Sequence, residues 1–423
     1  MAERIDAIII GAGHAGLSTS YYLTRAGMRH LILERGRVGE RWRSSRWDSF
    51  TLVTPNWTCH LPGYPYAGDD PDGFMVREEI VAYLEGYAAS FGAPVRGGVD
   101  VTAVETRMGG EYAVMTDGGE YETPVLIVAT GFFEHPRIPA EAATLSPNIL
   151  QVHSSRYRNS GALPPGAVLV VGSGQSGCQI AKELHESGRQ VYLSTGSAGR
   201  APRRYRGKDC IWWMARVGRF EQTVDKLTSP QAKFAANPHV SGRNGGETLN
   251  LHQFARDGMI LLGHVRTVQD GRIILAPDLK ENLAKADKAA ADFKRGVDEH
   301  IVKNGIDAPQ PNDTNTDDYD GADGLLQEEI LELDLQAAGI GAVVWAAGFK
   351  FDYSFLHIPV FGPDGYPIQK RGVSERPGLY FMGVHYQYKN KSDLFYGVGE
   401  DAAYIASAIT AKQREAKSIV PAR

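Results

Sequence analysis

Two short segments carry residue types and spacing suited to chemistry on phosphates. The first is Gly11-Ala12-Gly13-His14-Ala15-Gly16, preceded by the apolar run Ile8-Ile9-Ile10 and followed by helical spacing over residues 17–27. In a strand–loop–helix unit the three glycines do different things. Gly11 makes the tight turn, Gly13 lets the backbone approach a pyrophosphate, and Gly16 lets helix pack on strand. The helix start then offers unpaired N–H groups and the positive end of its dipole. A second predicted strand ends about twenty residues on at Glu34, where a carboxylate accepts both hydroxyls of a ribose.

The same grammar recurs in mid-chain. The run Ala167-Val168-Leu169-Val170-Val171 leads into Gly172-Ser173-Gly174-Gln175-Ser176-Gly177, and a helix is predicted from Cys178. Here the next strand ends in Ser194-Thr195-Gly196, without an acid, and Arg200, Arg203 and Arg204 follow. A carboxylate there repels a 2′-phosphate, whereas arginines bind one bidentately. The pair of sites, one ending in Glu and the other in Arg, points to FAD plus NADPH. A solvated basic loop is the competing reading of the three arginines.

With these motifs in place, the chain resembles a class B flavoprotein monooxygenase of the flavin-containing monooxygenase superfamily. It is most similar to the bacterial CzcO-like branch and more distantly to the plant YUCCA enzymes. The likeness extends over nearly the whole chain. Arg37-Val38-Gly39-Glu40-Arg41-Trp42 resembles the flavin-lining segment, and Arg35 and Arg41 join Trp42 as implied cofactor contacts. Ala129-Thr130-Gly131 and Ala346-Ala347-Gly348 resemble the two crossings between the nucleotide domains, and Gly397-Val398-Gly399-Glu400-Asp401 the start of the helix that closes over FAD. The chain departs from the family's F-x-G-x-x-x-H-x-x-x-[WYP] fingerprint: His153 and Tyr157 are kept, but Pro147 and Ile149 hold the Phe and Gly places.

The resemblance implies hydride transfer from NADPH to flavin, O2 capture as a flavin C4a-(hydro)peroxide, and oxygen transfer to a small N- or S-nucleophile or a carbonyl. Asn56 is implied as a hydrogen-bond donor beside the flavin, with a turn residue after Pro55 as the competing reading. His153 orients cofactor or domain, or is a structural histidine; Asp401 caps the last helix or meets flavin-side water. Trp42, Trp47, Trp57, Tyr386, Tyr388 and Tyr396 are candidate walls of a substrate pocket. An NAD(P)H-dependent reductase without oxygen transfer and a flavin redox sensor in an assembly are the other functional readings.

The elements that must position these residues define an α/β fold with two interleaved Rossmann-like dinucleotide-binding domains. Residues 1–158 and 348–423 form the FAD domain, with a small antiparallel insertion (99–106, 112–116, 121–128). Residues 165–347 form the NADPH domain, with a helical and acidic-loop insertion at about 278–324. In that insertion Leu283, Ala286, Ala290, Phe293, Val297 and Ile301 repeat at helical spacing. The stripe is read as packing on its own domain, with a partner helix as the alternative. Asp313-Thr314-Asn315-Thr316-Asp317 begins like a calcium loop but has Asp318 for the required Gly and Gly324 for the bidentate Glu, so no metal is expected.

Composition supports a globular chain. The 423 residues contain 43% hydrophobic and 22% charged residues, and 48 glycines, about 11% against the usual ~7%. A net charge of −5 gives no reason to expect nucleic acid. The longest apolar run, residues 337–349, is too short to cross a membrane, and the acidic start does not resemble a secretion signal. Three cysteines without a CxxC pair exclude a disulfide scaffold and fit a reducing cytoplasm. The expected partners are a small-molecule substrate and O2, with a homodimer possible.

Overall fold

The computed structural model describes residues 2–132, 135–311 and 328–419. Two parallel sheets organise the chain. In the first, strands Leu379–Phe381, Leu126–Val128, Ala7–Ile10, His30–Glu34 and Val95–Gly97 lie side by side in parallel. In the second the order is Leu150–His153, Ile340–Trp345, Ala167–Val171, Val191–Ser194 and Ile260–Leu262, again all parallel.

Both sheets are buried on two faces, which is why their strands read as unbroken apolar runs. Ile9 and Ile32 face helices His14–Arg25, Arg77–Ser90 and Val398–Ile419 through Leu17, Leu84 and Ile405, while Ile8 and Ile10 meet Val104, Val114 and Tyr121 of an antiparallel sheet. The second sheet repeats this layering. Val168 and Val170 pack on Ile180 and Leu184 of helix Gln175–Glu186, and Leu169 and Val171 pack on Val268, Ile273 and Leu333 of a three-stranded antiparallel sheet.

Three expectations need correction. The strand Leu150–His153, assigned from sequence to the first domain, pairs with Ile340–Trp345 in the second sheet. The expected strand 121–128 breaks at Pro124, which has no N–H for a ladder. Its first half belongs to antiparallel strand Gly119–Thr123, and its second half, Leu126–Val128, crosses into the parallel sheet. The second antiparallel sheet, strands Val265–Gln269, Arg272–Leu275 and Glu332–Asp334, is absent from the architecture expected from sequence.

The long helix runs over Leu279–Asn304 and ends at Gly305 in the left-handed conformation. Its stripe packs inward: Leu279 and Leu283 join Leu249 and Phe254, and Val297 and Ile301 close over Trp213. Phe293 is only partly buried. The calcium-like segment lies outside the described residues. Leu283→Ala removes a side chain 2% exposed and is expected to cost about 2–5 kcal/mol, read as a lower urea midpoint. Val302→Asp, at a position 82% exposed on the same helix, is expected to stay within about 0.5 kcal/mol of the parent.

Candidate active site

The two glycine loops have matching geometry. Gly11 has φ +107°, and a Cβ there would lie 2.6 Å from the Ala129 carbonyl oxygen; Gly172 has φ +106° and the same 2.6 Å distance to that of Ala346. A Cβ on Gly16 would lie 2.0 Å from the Gly11 oxygen, and one on Gly177 1.7 Å from the Gly172 oxygen. Within the loops only the middle glycines, Gly13 and Gly174, face open space, with nothing within 4 Å of a built Cβ. Each is the N-cap of the following helix without a side-chain cap, so the first-turn N–H groups are left for an external acceptor. These are cradles that fit a dinucleotide pyrophosphate. The carbonyls pressed against them belong to the crossings, which put Thr130–Gly131 and Gly348 at the mouths.

Around the first loop, Glu34 is engaged with the chain itself: Oε2 accepts the Ala12 N–H at 2.7 Å and Oε1 that of Gly36 at 2.9 Å. Its expected ribose role is therefore added to a structural one. Ala15 is buried; the His14 ring donates to the Asp393 carbonyl at 2.9 Å, and burial lowers its pKa despite that bond. Trp42 stacks on Phe395 at 5.8 Å and meets Phe50 at 5.7 Å, with the Arg46 guanidinium over the Trp42 and Phe50 rings. Arg35 is exposed and Arg41 half-buried nearby.

The two candidate catalytic residues are both bonded within the chain itself. Asn56 is buried, but its Nδ2 donates to the Asp70 carbonyl at 2.9 Å and its Oδ1 accepts the Met75 N–H at 2.7 Å. Its amide pins the 70–75 loop on the wall of a cavity of about 400 Å³ shared with Tyr66, Phe74 and Glu79. His153 donates from Nε2 to the Gly348 carbonyl at 3.0 Å, which leaves Nδ1 as acceptor for Ser155 at 3.0 Å. Burial lowers its pKa, so a neutral ring ties strand Leu150–His153 to the second crossing.

Around the second loop, Ser173 Oγ accepts the Gly196 N–H at 3.0 Å, and Gln175 pairs with both backbone groups of Val240. Ser176 lies half-buried at the helix start. The arginines differ most from expectation. Arg200 pairs with Asp287 at 3.0 Å, itself bonded to His252, and Arg203 pairs with Asp209 at 2.7 Å and donates to the Val53 carbonyl at 2.8 Å. Both guanidinium groups are buried in internal ion pairs, and Arg203 Nη2 is left without a hydrogen-bond partner among the described residues. Arg204 alone of the three is exposed, resting on the Gly245 carbonyl.

Asp401 is buried against Arg371 at 3.1 Å, an ion pair that anchors the last helix; burial pushes its carboxyl up, opposed by Ser392 and Arg371. Trp47 and Tyr386 are core residues, whereas Trp57 and Tyr396 meet edge-to-face at 5.5 Å on a cavity of about 490 Å³ with Trp212 and Arg216. Among the described residues no helix is long and apolar enough to cross a membrane, and no three His, Cys, Asp or Glu side chains are placed to hold a metal.

Residues 8–228 match the family described as Pyridine nucleotide-disulphide oxidoreductase. The chain is 33% identical over 412 residues to an uncharacterized CzcO-like oxidoreductase of Geobacillus kaustophilus, covering 97% of this chain and 99% of the relative. It is 33% identical over 186 residues to the indole-3-pyruvate monooxygenase YUCCA1 of rice, 43% of this chain and 45% of that one. A solved structure of OTEMO in complex with FAD and NADP shares the fold at TM-score 0.56 and 16% identity, over 97% of this chain and 86% of that one. The chain belongs to the pyridine nucleotide-disulphide oxidoreductase family. Within it, the chain is an oxidoreductase of the class B flavoprotein monooxygenase type, in the CzcO-like branch.

The loop geometry separates two glycine roles. Gly177→Ala is expected to lower the melting temperature by many degrees, while Gly174→Ala is expected to hold it within about 2 °C yet weaken dinucleotide binding; thermal melts with and without nucleotide check both. A second expectation concerns His239, fully buried beside the second loop. Its ring faces the backbones of Ser173 and Leu249 without hydrogen-bond geometry, and burial, with the charge of Arg200, lowers its pKa to about 4. The unfolded chain takes up that proton near pH 6.5, so stability is full above that value and falls as pH drops toward 4. The loss by pH 5 is expected to be about 2 kcal/mol, and His239→Asn should flatten it in urea titrations at pH 7 and 5.

Proposed function

We propose that the protein is an FAD-dependent, NADPH-consuming monooxygenase that transfers one oxygen atom of O2 to a small substrate bearing a nucleophilic nitrogen or sulfur, or a carbonyl. The observation that carries this reading is the pair of matching cradles, of which only the first is backed by a carboxylate, Glu34. The second strand ends in Ser194-Thr195-Gly196, where a 2′-phosphate meets no like charge. The solved relative with FAD and NADP supports the cofactor pair, and the YUCCA relative supports oxygen transfer.

In this reading the FAD unit comprises residues 1–158 and 348–423 without the strand Leu150–His153, and the NADPH unit residues 165–347. The N–H groups following Gly13 take the FAD pyrophosphate and those following Gly174 that of NADPH. Remaining lone pairs of Glu34 take ribose hydroxyls. Trp42, Phe50 and Phe395 form an apolar wall that keeps water from the reacting ring. Bound FAD and NADPH supply the hydride and oxygen chemistry. His153 holds the Gly348 carbonyl so that the second crossing keeps its place against the loop. Arg204, the one exposed arginine of the three, is the ligand this reading assigns to the 2′-phosphate.

Thiol chemistry is not supported. Cys59, Cys178 and Cys210 are all buried; burial pushes Cys59 and Cys210 to about 12 and Cys178 upward as well. The purified protein is expected to be yellow, to bleach with NADPH faster than with NADH, and to incorporate ¹⁸O from labelled O2 into an amine, sulfide or ketone. Oxygen recovered wholly as hydrogen peroxide across such a panel favours the reductase, and flavin that NADPH does not bleach favours the sensor. Arg204→Ala is expected to lower the NADPH-over-NADH preference about tenfold, measured as the ratio of kcat/KM values.

A further inference from the structure

The segment from Gly383 to Phe395 folds over the first loop. Gly383 approaches so closely that a Cβ would lie 2.5 Å from that of Ala15, and Phe395 packs on the His14 ring at 4.9 Å. The His14 bond to the Asp393 carbonyl fixes residue 393 beside the helix start. Within this segment Asp393 Oδ2 accepts from His385 Nδ1 at 2.8 Å, and the two side chains are 15% and 16% exposed. On its other side the His385 ring faces Phe132, next to the first crossing, at 6.5 Å. Burial alone would lower the His385 pKa, but the Asp393 carboxylate and the Lys233 backbone outweigh it and hold it raised.

One oxygen of this pair is left unused by the described residues. Asp393 Oδ1 is buried and has no hydrogen-bond partner among the described residues. A carboxylate oxygen only accepts, and leaving one buried without a donor is costly. A pyrophosphate brings acceptors alone, so it cannot satisfy this atom. The donors of a bound dinucleotide are its sugar hydroxyls and ring N–H groups. Glu34, at the end of strand His30–Glu34, bonds Ala12 within the loop, whereas Asp393 is tied to His14 at the helix start and, through His385, to the side of Phe132 and the crossing.

We propose that Asp393, clamped by His385, accepts a hydrogen bond from a hydroxyl or N–H of the flavin half of the dinucleotide held on the Gly11–Gly16 loop. This rests on the FAD reading above. His385 acts as a positioning residue: it balances the carboxylate's charge beside the pyrophosphate and aims Oδ1 at the ligand.

The test follows FAD release from the holoprotein by the rise of flavin fluorescence on dilution, with ADP as a competitor that occupies only the loop half. Asp393→Ala is expected to speed release about tenfold, and the ADP concentration that displaces half the FAD should fall by the same factor. Asp393→Asn keeps an acceptor oxygen and is expected to stay within about threefold of the parent. If Asp393→Ala does not fold, Asp393→Ser replaces it, since the shorter side chain does not reach both partners. Unchanged release overturns the proposal. So does faster release with an unchanged ADP midpoint, which means that the whole loop is disturbed. A parent protein that holds no FAD refutes the cofactor reading before any variant is made.

Discussion

The structure depends on a contact that tolerates no side chain: the third glycine of each loop against the carbonyl of the first. A methyl group at Gly16 or Gly177 would overlap that oxygen at 2.0 or 1.7 Å. Because it is absent, each helix starts directly over the end of its strand, and its free N–H groups converge on the space in front of Gly13 or Gly174. The neighbouring crossing, Ala129 or Ala346, presses on the first glycine from the other side. Loop, helix and crossing therefore form one rigid corner, used twice. The glycine excess in the composition is in part the signature of these corners.

Two corners are useful only if they face one another, and that relation is set by contacts far apart in sequence. Arg203 reaches from the second unit to the Val53 carbonyl while its guanidinium lies over Phe74 at 4.3 Å. Residues 222–224 exchange backbone hydrogen bonds with 388–390, through Val224 N–H to Tyr388 at 2.8 Å and Asn390 N–H to Gln222 at 3.0 Å. Beside them Lys389 and Lys391 each bridge Glu221 and Glu400, a closed ring of two positive and two negative charges. Lys391 is almost fully buried in it, which is tolerable because both carboxylates satisfy its ammonium. A buried arginine and a charge ring thus hold the junction.

This division explains what was legible in the sequence. The corners are local, about thirty residues each, so strand, loop, helix and terminal acid could all be read in order. Leu150–His153 could not be assigned, because a parallel strand is defined by a neighbour nearly two hundred residues away, Ile340–Trp345. The ion pairs of the arginines were hidden for the same reason. Their spacing after the second strand suggested a phosphate site, but Asp287 arrives on the long helix and Asp209 on a hairpin, and those carboxylates claim Arg200 and Arg203. Asp393 and His385 carried no local signal at all. Their meaning appears only when His14 is found bonded to residue 393.

The departures from the family fingerprint can now be weighed physically. Of its retained residues, His153 holds Gly348 at the second crossing, and Tyr157, almost fully buried, donates to Glu183 on helix Gln175–Glu186 at 2.7 Å. Both act on the frame of the second corner. The altered places, Pro147 and Ile149, precede strand Leu150–His153, with Pro147 exposed and Ile149 packed on the side of the sheet away from helix Gln175–Glu186. The substitutions therefore fall where the chain enters the junction, and the residues that lock it are intact. A fingerprint read in this way reports the docking of two nucleotide units. Under the proposed function, the fate of oxygen depends instead on the wall of Trp42, Phe50 and Phe395 and on the groups around the first corner, which lie outside the fingerprint.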